Sequence, residues 1–357
     1  EKVQTNKLIH TFLGADIADI SGYVGNFETR ITDIQGEEKK MEHGIVIVAS
    51  GAEEYKPKEY LYGKDSRVIT QTELEKRLGT SGYVDKLNCV VMIQCVGSRD
   101  EARPYCSRVC CGEAVKNAVK IKEKSPDTDV FVLYRDMRAY GLTESYYNKA
   151  RELGVVFILY VENNKPEIAT KQLRSGDRLS VSVYDPIVGE QLSLDVDLVV
   201  LSTAIIPFEE NKILSQLLKV PLNEDGFFLE AHVKLRPVDF ATEGVFLCGM
   251  AHGPKSIEES IAQAHAAVAR ASTILSKDQI EAEGTIAFIN KRRCSGCGTC
   301  VVVCAYNALE LDEKEKVAEV NSALCKGCGA CAATCRSSAI DLNGFTNEEL
   351  ISVVSSL

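Results

Sequence analysis

The sequence predicts a mixed α/β protein closed by a small cysteine-rich α+β module, and three observations carry that prediction. Eight of the fourteen cysteines fall in two copies of one spacing, CSGCGTCVVVC at residues 294–304 and CKGCGACAATC at residues 325–335. From about residue 86 onward, apolar β-branched stretches alternate with helical ones, the pattern of βαβ units and a parallel sheet. Two apolar strands ending in small residues, IVIVASG and LVVLSTA, stand about 155 residues apart and bracket that unit. One dinucleotide-binding domain inserted into another has this organisation.

In chain order, residues 8–34 read as short strands punctuated by glycine. Residues 45–52 form a continuous apolar run stopped by glycine, which predicts a buried parallel strand. A strand at 88–94 leads to a helix at 107–124, a strand at 130–134 to a helix at 143–153, and a third strand follows at 155–160. Two polar strands (168–173 and 179–184) precede a buried one at 198–202. A strand at 244–248 then meets an alanine-rich helix at 256–274, with Ser256 as N-cap and Glu258 and Glu259 in its first turn. The stretch 277–284 is the expected linker. The predicted domains are therefore 1–85 with 203–280, an inserted unit 86–202, and a cysteine module 281–357.

The spacing C-x₂-C-x₂-C-x₃-C wraps a 4Fe–4S cubane, because the short steps bring three thiolates onto corners of one cube. In two-cluster proteins the fourth cysteine of each run ligates the other cluster. Cys294, Cys297, Cys300 and Cys335 are thus assigned to one cluster, and Cys325, Cys328, Cys331 and Cys304 to the second. A pair of zinc knuckles fits less well, since each run holds four cysteines and repeats after 31 positions, Cys294 to Cys325.

A further set, Cys95, Cys106, Cys110 and Cys111, follows the strand at 88–94. A nicotinamide site would need G-x-G-x-x-G at this turn, and only Gly97 is present. Three of the four cysteines sit near the start of a helix, whose positive end favours thiolates. From spacing alone they hold one more cubane, form a redox disulfide, or are buried thiols. Cys89 and Cys248 fit packing roles, as do the isolated His43 and His232. His252 is isolated too, but it lies within GMAHGP, the one histidine of the three near the candidate flavin motif. The acidic stretch 312–319 fits a solvated hairpin.

A net charge of −10 with no basic stripe argues against a nucleic-acid partner. No apolar run reaches membrane-spanning length. Cysteines at cluster spacing, and no signal peptide, predict a reducing cytoplasm.

QCVGSRD, PYCSRVCCGEAVK, DGFFLEAHVKLRPVDFATEGVFLCGMAHGPKSI and the closing module resemble the A-type subunit of heterodisulfide reductase over nearly the whole chain. The resemblance implies a thioredoxin-reductase-like FAD protein of two dinucleotide domains with a ferredoxin-like tail, and three 4Fe–4S clusters, one of them non-standard on Cys95, Cys106, Cys110 and Cys111. It implies electron bifurcation in a dimeric complex. Electron pairs come from a hydrogenase or formate dehydrogenase partner, and are split between ferredoxin and B- and C-type subunits that reduce CoM–S–S–CoB. Lys116 takes a place near flavin N5. Gly249, Met250 and Ala251 stand where the ribityl chain binds, Lys255, Ser256, Ile257 and Gln263 contact the ring, and Ser50 and Gly51 line its edge. The sequence departs from the family in having no G-x-G-x-x-G anywhere, a shorter gap between Cys95 and Cys106, and Ala305 and Arg336 where prolines follow the ferredoxin runs. A companion chain or missing segment is then expected to supply the AMP side of FAD. A flavin-free iron–sulfur relay, or an electron-input subunit linked to quinone or to acyl-CoA reductase, is the alternative expectation.

Overall fold

Val90, Val91, Met92 and Ile93 are consecutive and all fully buried, so their strand must be covered on both faces. The cover differs on the two sides. The strand Cys89–Val96 lies at the centre of a five-stranded parallel sheet ordered Val68–Thr70, Leu198–Thr203, Cys89–Val96, Asp129–Tyr134, Val156–Leu159. Val90, Met92, Val132 and Val200 face a layer of helices, Gln71–Leu78, Cys110–Lys124 and Glu144–Glu152. Val91, Ile93, Leu133 and Leu201 face Leu179, Val181, Val183 and Val196 of a three-stranded antiparallel sheet. The computed structural model describes residues 2–80, 82–173, 176–279, 284–312, 314–322 and 324–356, with backbone alone at 172–173 and 176–177.

The five-stranded sheet and the layers that cover it belong to the larger of two compact units, 47–270; the other comprises 1–46 and 271–357. Strand Val68–Thr70 and helix Gln71–Leu78 share the sheet and core of residues 86–202, although the sequence reading puts them in the segment 1–85. That helix is short for its apolar periodicity to show, yet it carries a local signal, a capping box: Thr70 Oγ1 accepts from the Glu73 N–H, and the Glu73 carboxylate accepts from the Thr70 N–H. Thr70→Ala is expected to cost about 1 kcal/mol, read as a lower urea midpoint by far-ultraviolet circular dichroism; an unchanged midpoint contradicts it.

Three further differences have local causes. The cysteine helix starts at Cys110 rather than 107, because Arg108 is held at φ 60°, outside helical space. The run at 45–52 yields only the short strand Val46–Val48, paired with Val245–Leu247 in its own two-stranded sheet, and Gly51 three residues on holds φ 81°. The polar strands number three, Glu190–Val196 being the additional one; Leu192 and Leu194 alternate with polar residues and pack inward.

In the second unit, Asp16–Tyr23, Asn26–Thr32 and Glu38–His43 form an antiparallel sheet. His43 is satisfied there by Thr29 Oγ1 at 2.7 Å and the Ile45 carbonyl at 3.0 Å. The cysteine module pairs Ala287–Ile289 with Ile340–Leu342 and Leu309–Leu311 with Ala318–Val320, and adds the short helices Thr299–Val303 and Ala330–Thr334. The acidic stretch closes the second hairpin; its Glu313 lies outside the described residues, as do 280–283 of the expected linker. Among the described residues no helix is long and apolar enough to cross a membrane.

Candidate functional site

The two cysteine runs are related by the same 31-residue offset in their surroundings as in their spacing. Cys300 and Cys331 are buried in one small core with Ala287, Leu309, Ala318 and Ile340, while Cys297 and Cys328 are exposed. The Ala308 N–H donates to Cys304 Sγ and the Ala339 N–H to Cys335 Sγ, both at 3.3 Å. Two further donors cross between the halves: Ala287 N–H reaches Cys325 Sγ at 3.3 Å, and Ala318 N–H reaches Cys294 Sγ at 3.4 Å. Peptide N–H groups aimed at sulfur stabilise thiolate charge, so the donor set fits a thiolate-ligated, net-negative group. Gly296 and Gly327 make the approach possible. At φ 67° and 60°, a Cβ on either would meet a backbone carbonyl, that of Lys316 at 2.2 Å or of Thr285 at 2.4 Å. The side-chain hydrogen bond from Thr299 brings the Cys297 thiol down to about 7.

The four earlier cysteines come together at the end of the strand Cys89–Val96 and the start of the helix Cys110–Lys124. Cys110 and Cys111 are buried, and Cys95 and Cys106 are half-buried. Cys110 is raised first by hydrogen bonding to Cys111 and then by burial, and Cys95 and Cys106 also lie close enough to raise it. The same hydrogen bond holds Cys111 down at about 7. The loop between them is pinned. Tyr105 O accepts from the Arg99 N–H at 3.1 Å and from Ser98 Oγ at 2.9 Å, while Tyr105 OH donates to the Ile205 carbonyl at 2.9 Å. Cys95, Arg99 and Arg108 all hold φ near 60°, a strained cluster of the kind found at functional sites. Two cations and a peptide N–H serve the sulfurs: Arg99 Nη1 stands 3.9 Å from Cys95 Sγ, Arg138 hydrogen-bonds Cys106, and the Arg108 backbone N–H donates to Cys106 Sγ at 3.3 Å. This set too fits a thiolate-ligated group. Among the described residues, no three His, Cys, Asp or Glu side chains gather on a site for a single metal ion. Burial pushes the Cys89 thiol up to about 11, away from thiolate chemistry.

A cavity of about 570 Å³ opens beside the turn at 249–253, lined by Arg108, Val238, His252, Lys255, Glu259 and Gln263 among others. Of the expected cofactor residues, Lys255 and Gln263 line it, and Gly249 joins them. The Gly249 N–H donates to Gln263 Oε1 at 3.0 Å, and Lys255 Nζ donates to the Gly249 and Gly253 carbonyls at 3.0 and 3.1 Å. Burial first, then Arg108, pulls Lys255 down to about 8. No atom lies within 4 Å of where a Cβ would stand on Gly249 or Gly253, which leaves backbone open to a ligand. Met250 and Ala251 form the adjoining 3₁₀ turn Gly249–Ala251, and Ala251 is buried. Ser256 caps the next helix, Ile257–Leu275, through the Glu259 N–H, and Ile257 is 77% exposed. Ser50 hydrogen-bonds Asn211 at 3.3 Å, and Gly51 stands beside Phe208 in the loop after the short strand. Lys116 does not line the cavity; its ammonium pairs with Glu75 at 2.8 Å on a half-exposed face. Sequence reasoning does not single out Arg108 as lining this cavity, because nothing local announces a loop residue that reaches a helix residue 151 positions away.

A family model for the 4Fe–4S dicluster domain matches residues 293–339. The A-type subunit of the H₂:CoB–CoM heterodisulfide, ferredoxin reductase of Methanothermobacter thermautotrophicus is 40% identical over 299 residues, covering 79% of this chain and 44% of that protein. The second of two A-type iron–sulfur subunits of the CoB–CoM heterodisulfide reductase of Methanopyrus kandleri is 41% identical over 300 residues, with coverages of 79% and 45%. Among solved structures, thioredoxin reductase from T. acidophilum is similar with a TM-score of 0.46 and 15% identity, over 74% of this chain and 75% of that one. The chain spans a little under half the length of the curated relatives it matches. Over the aligned stretch, this chain belongs to the family of heterodisulfide reductase A-type subunits.

Proposed function

We propose that the chain is the electron-transferring part of an A-type heterodisulfide reductase subunit, carrying three 4Fe–4S clusters and one face of an FAD site. The observation that carries this reading is that sulfurs of all three cysteine sets receive N–H or cationic donors. Cys294, Cys297, Cys300 and Cys335 would hold one cluster, Cys325, Cys328, Cys331 and Cys304 the second, and Cys95, Cys106, Cys110 and Cys111 the third. When bound, the clusters supply one-electron redox chemistry. The protein fixes their sulfurs and sets the charge around them.

The cavity beside the turn at 249–253 would take the flavin end of FAD, with Lys255 and Arg108 as its cations and the Gly249 and Gly253 backbone in close approach. Residues 47–67 with 203–270 would supply this chain's share of the FAD part, residues 68–78 belonging instead to the sheet of the inserted unit, and another segment or chain would complete the nucleotide site. In the assembled complex, electrons would enter from a hydrogenase or formate dehydrogenase partner. They would leave to ferredoxin and, through B- and C-type subunits, to the CoM–S–S–CoB disulfide, in a reducing cytoplasm.

Anaerobically purified protein is expected to contain about twelve iron atoms per chain, three clusters of four, and a flavin in the whole complex. About eight iron atoms would remove the third cluster. The flavin-free relay is favoured by one feature, the lack of any G-x-G-x-x-G in the sequence. No flavin absorbance in either the chain or the complex would establish it.

A further inference from the structure

Three hydrogen bonds run in series along the wall of the cavity. The Gly249 N–H donates to Gln263 Oε1 at 3.0 Å, Gln263 Nε2 lies 2.8 Å from His252 Nδ1, and His252 Nε2 lies 2.8 Å from Glu230 Oε2. The direction of the whole series is fixed at one end. A peptide N–H only donates, so the amide oxygen of Gln263 faces Gly249 and its NH₂ faces His252. Nδ1 must then accept. The ring proton sits on Nε2 and is donated to the Glu230 carboxylate. An imidazolium would set an N–H at Nδ1 against the Gln263 NH₂. Turning that amide over only transfers the conflict, two donors facing each other, to Gly249.

The charged groups around the ring agree with an uncharged state. Burial is the largest influence lowering His252, the Lys255 ammonium adds to it, and Glu230 opposes both. Glu259 and Arg108 face the same cavity, and Cys248 stands next to Lys255. Lys255 grips the carbonyls of the turn at 249–253 while Gln263 grips its N–H, so the turn is held from both sides.

We propose that His252 is a positioning residue of this cavity, holding the turn at 249–253 in place only while its ring is uncharged. The proposal deepens the reading of the cavity as a flavin site and rests on it for the ligand's identity. Its sign follows from the lowered basicity of the ring. The stabilisation is complete above the ordinary histidine range and is lost as pH falls through the lower folded value.

The test uses the full cluster-loaded chain. Nitrogen-15 NMR of its five histidines, with His252 assigned from a His252→Gln variant, is expected to show the Nε2–H tautomer at pH 7.5. Hydrogen–deuterium exchange at Gly249, corrected for the intrinsic rate, is expected to quicken at least tenfold between pH 7.5 and 5.0. That acceleration should be absent in His252→Gln. In Glu230→Gln, which removes the group favouring the charged ring, it should move to lower pH. A charged ring or an Nδ1–H tautomer at pH 7.5 overturns the proposal, as does the same tenfold acceleration in His252→Gln. FAD retention, followed by absorbance of the assembled complex, separates the two ideas. Retention at pH 7.5 that weakens tenfold at pH 5.0 supports both. Exchange as expected with no FAD at either pH overturns the flavin reading and upholds the positioning role.

Discussion

Gly296→Ala is expected to empty one ferredoxin-type cluster and destabilise the module by more than about 3 kcal/mol, the range reached by strained backbone substitutions with steric conflict. Two effects add. The new methyl would stand 2.2 Å from the Lys316 carbonyl oxygen, which is backbone and cannot swing aside like a side chain. The position also holds φ 67°, where any L side chain costs about 1 kcal/mol. Gly327→Ala repeats the experiment in the other half, against Thr285 O at 2.4 Å. Gly344→Ala is the control within the same module. It has a similar φ of 84° but open space where the methyl would go, so only the backbone strain, about 1 kcal/mol, is expected. Iron content and the temperature at which cluster absorbance bleaches decide the matter. A Gly296→Ala chain that keeps full iron and bleaches with Gly344→Ala would show that the module tolerates what its geometry forbids.

The second large effect is expected from Cys106→Ser, which should lower iron from about twelve atoms to about eight while leaving the fold intact. Cys106 is the suitable target because it is half-buried, whereas Cys110 and Cys111 sit in the core and their loss would disturb packing as well. Cys89→Ser is the matched control: its thiol is half-buried at the far end of the strand that carries Cys95, apart from the four, and iron should not change. Iron unchanged in Cys106→Ser, with loss of a disulfide-sensitive mass shift instead, would return the four cysteines to a redox pair.

The parts of the protein legible in sequence are those whose signal is short-range. Cysteine spacing announces both runs, and alternation of strand and helix announces the parallel sheet. Ser256 with Glu259 marks a helix start that the structure caps through those two residues. What escapes depends on long-range geometry. Val68–Thr70 is too short to read as a strand, yet it pairs with Leu198–Thr203 and carries the sheet across the expected domain boundary. Arg108 forsakes the helix that its neighbours begin, and only the folded loop explains why. Lys116 is placed near the flavin by the resemblance alone, and its ion pair with Glu75 on the neighbouring helix has no local signature. His252 carries no pattern at all; its partners lie 22 and 11 residues away, at Glu230 and Gln263.

The crossed donors of the ferredoxin-like module bear on how it is built. Ala287, ahead of the first run, serves a sulfur of the second, and Ala318, ahead of the second run, serves a sulfur of the first. Neither repeat is therefore self-sufficient: cut between them, each fragment would present a thiolate stripped of its amide. Each half tunes the charge on a sulfur of the other, so a change in the backbone of one repeat is expected to be felt at the thiolates of its twin.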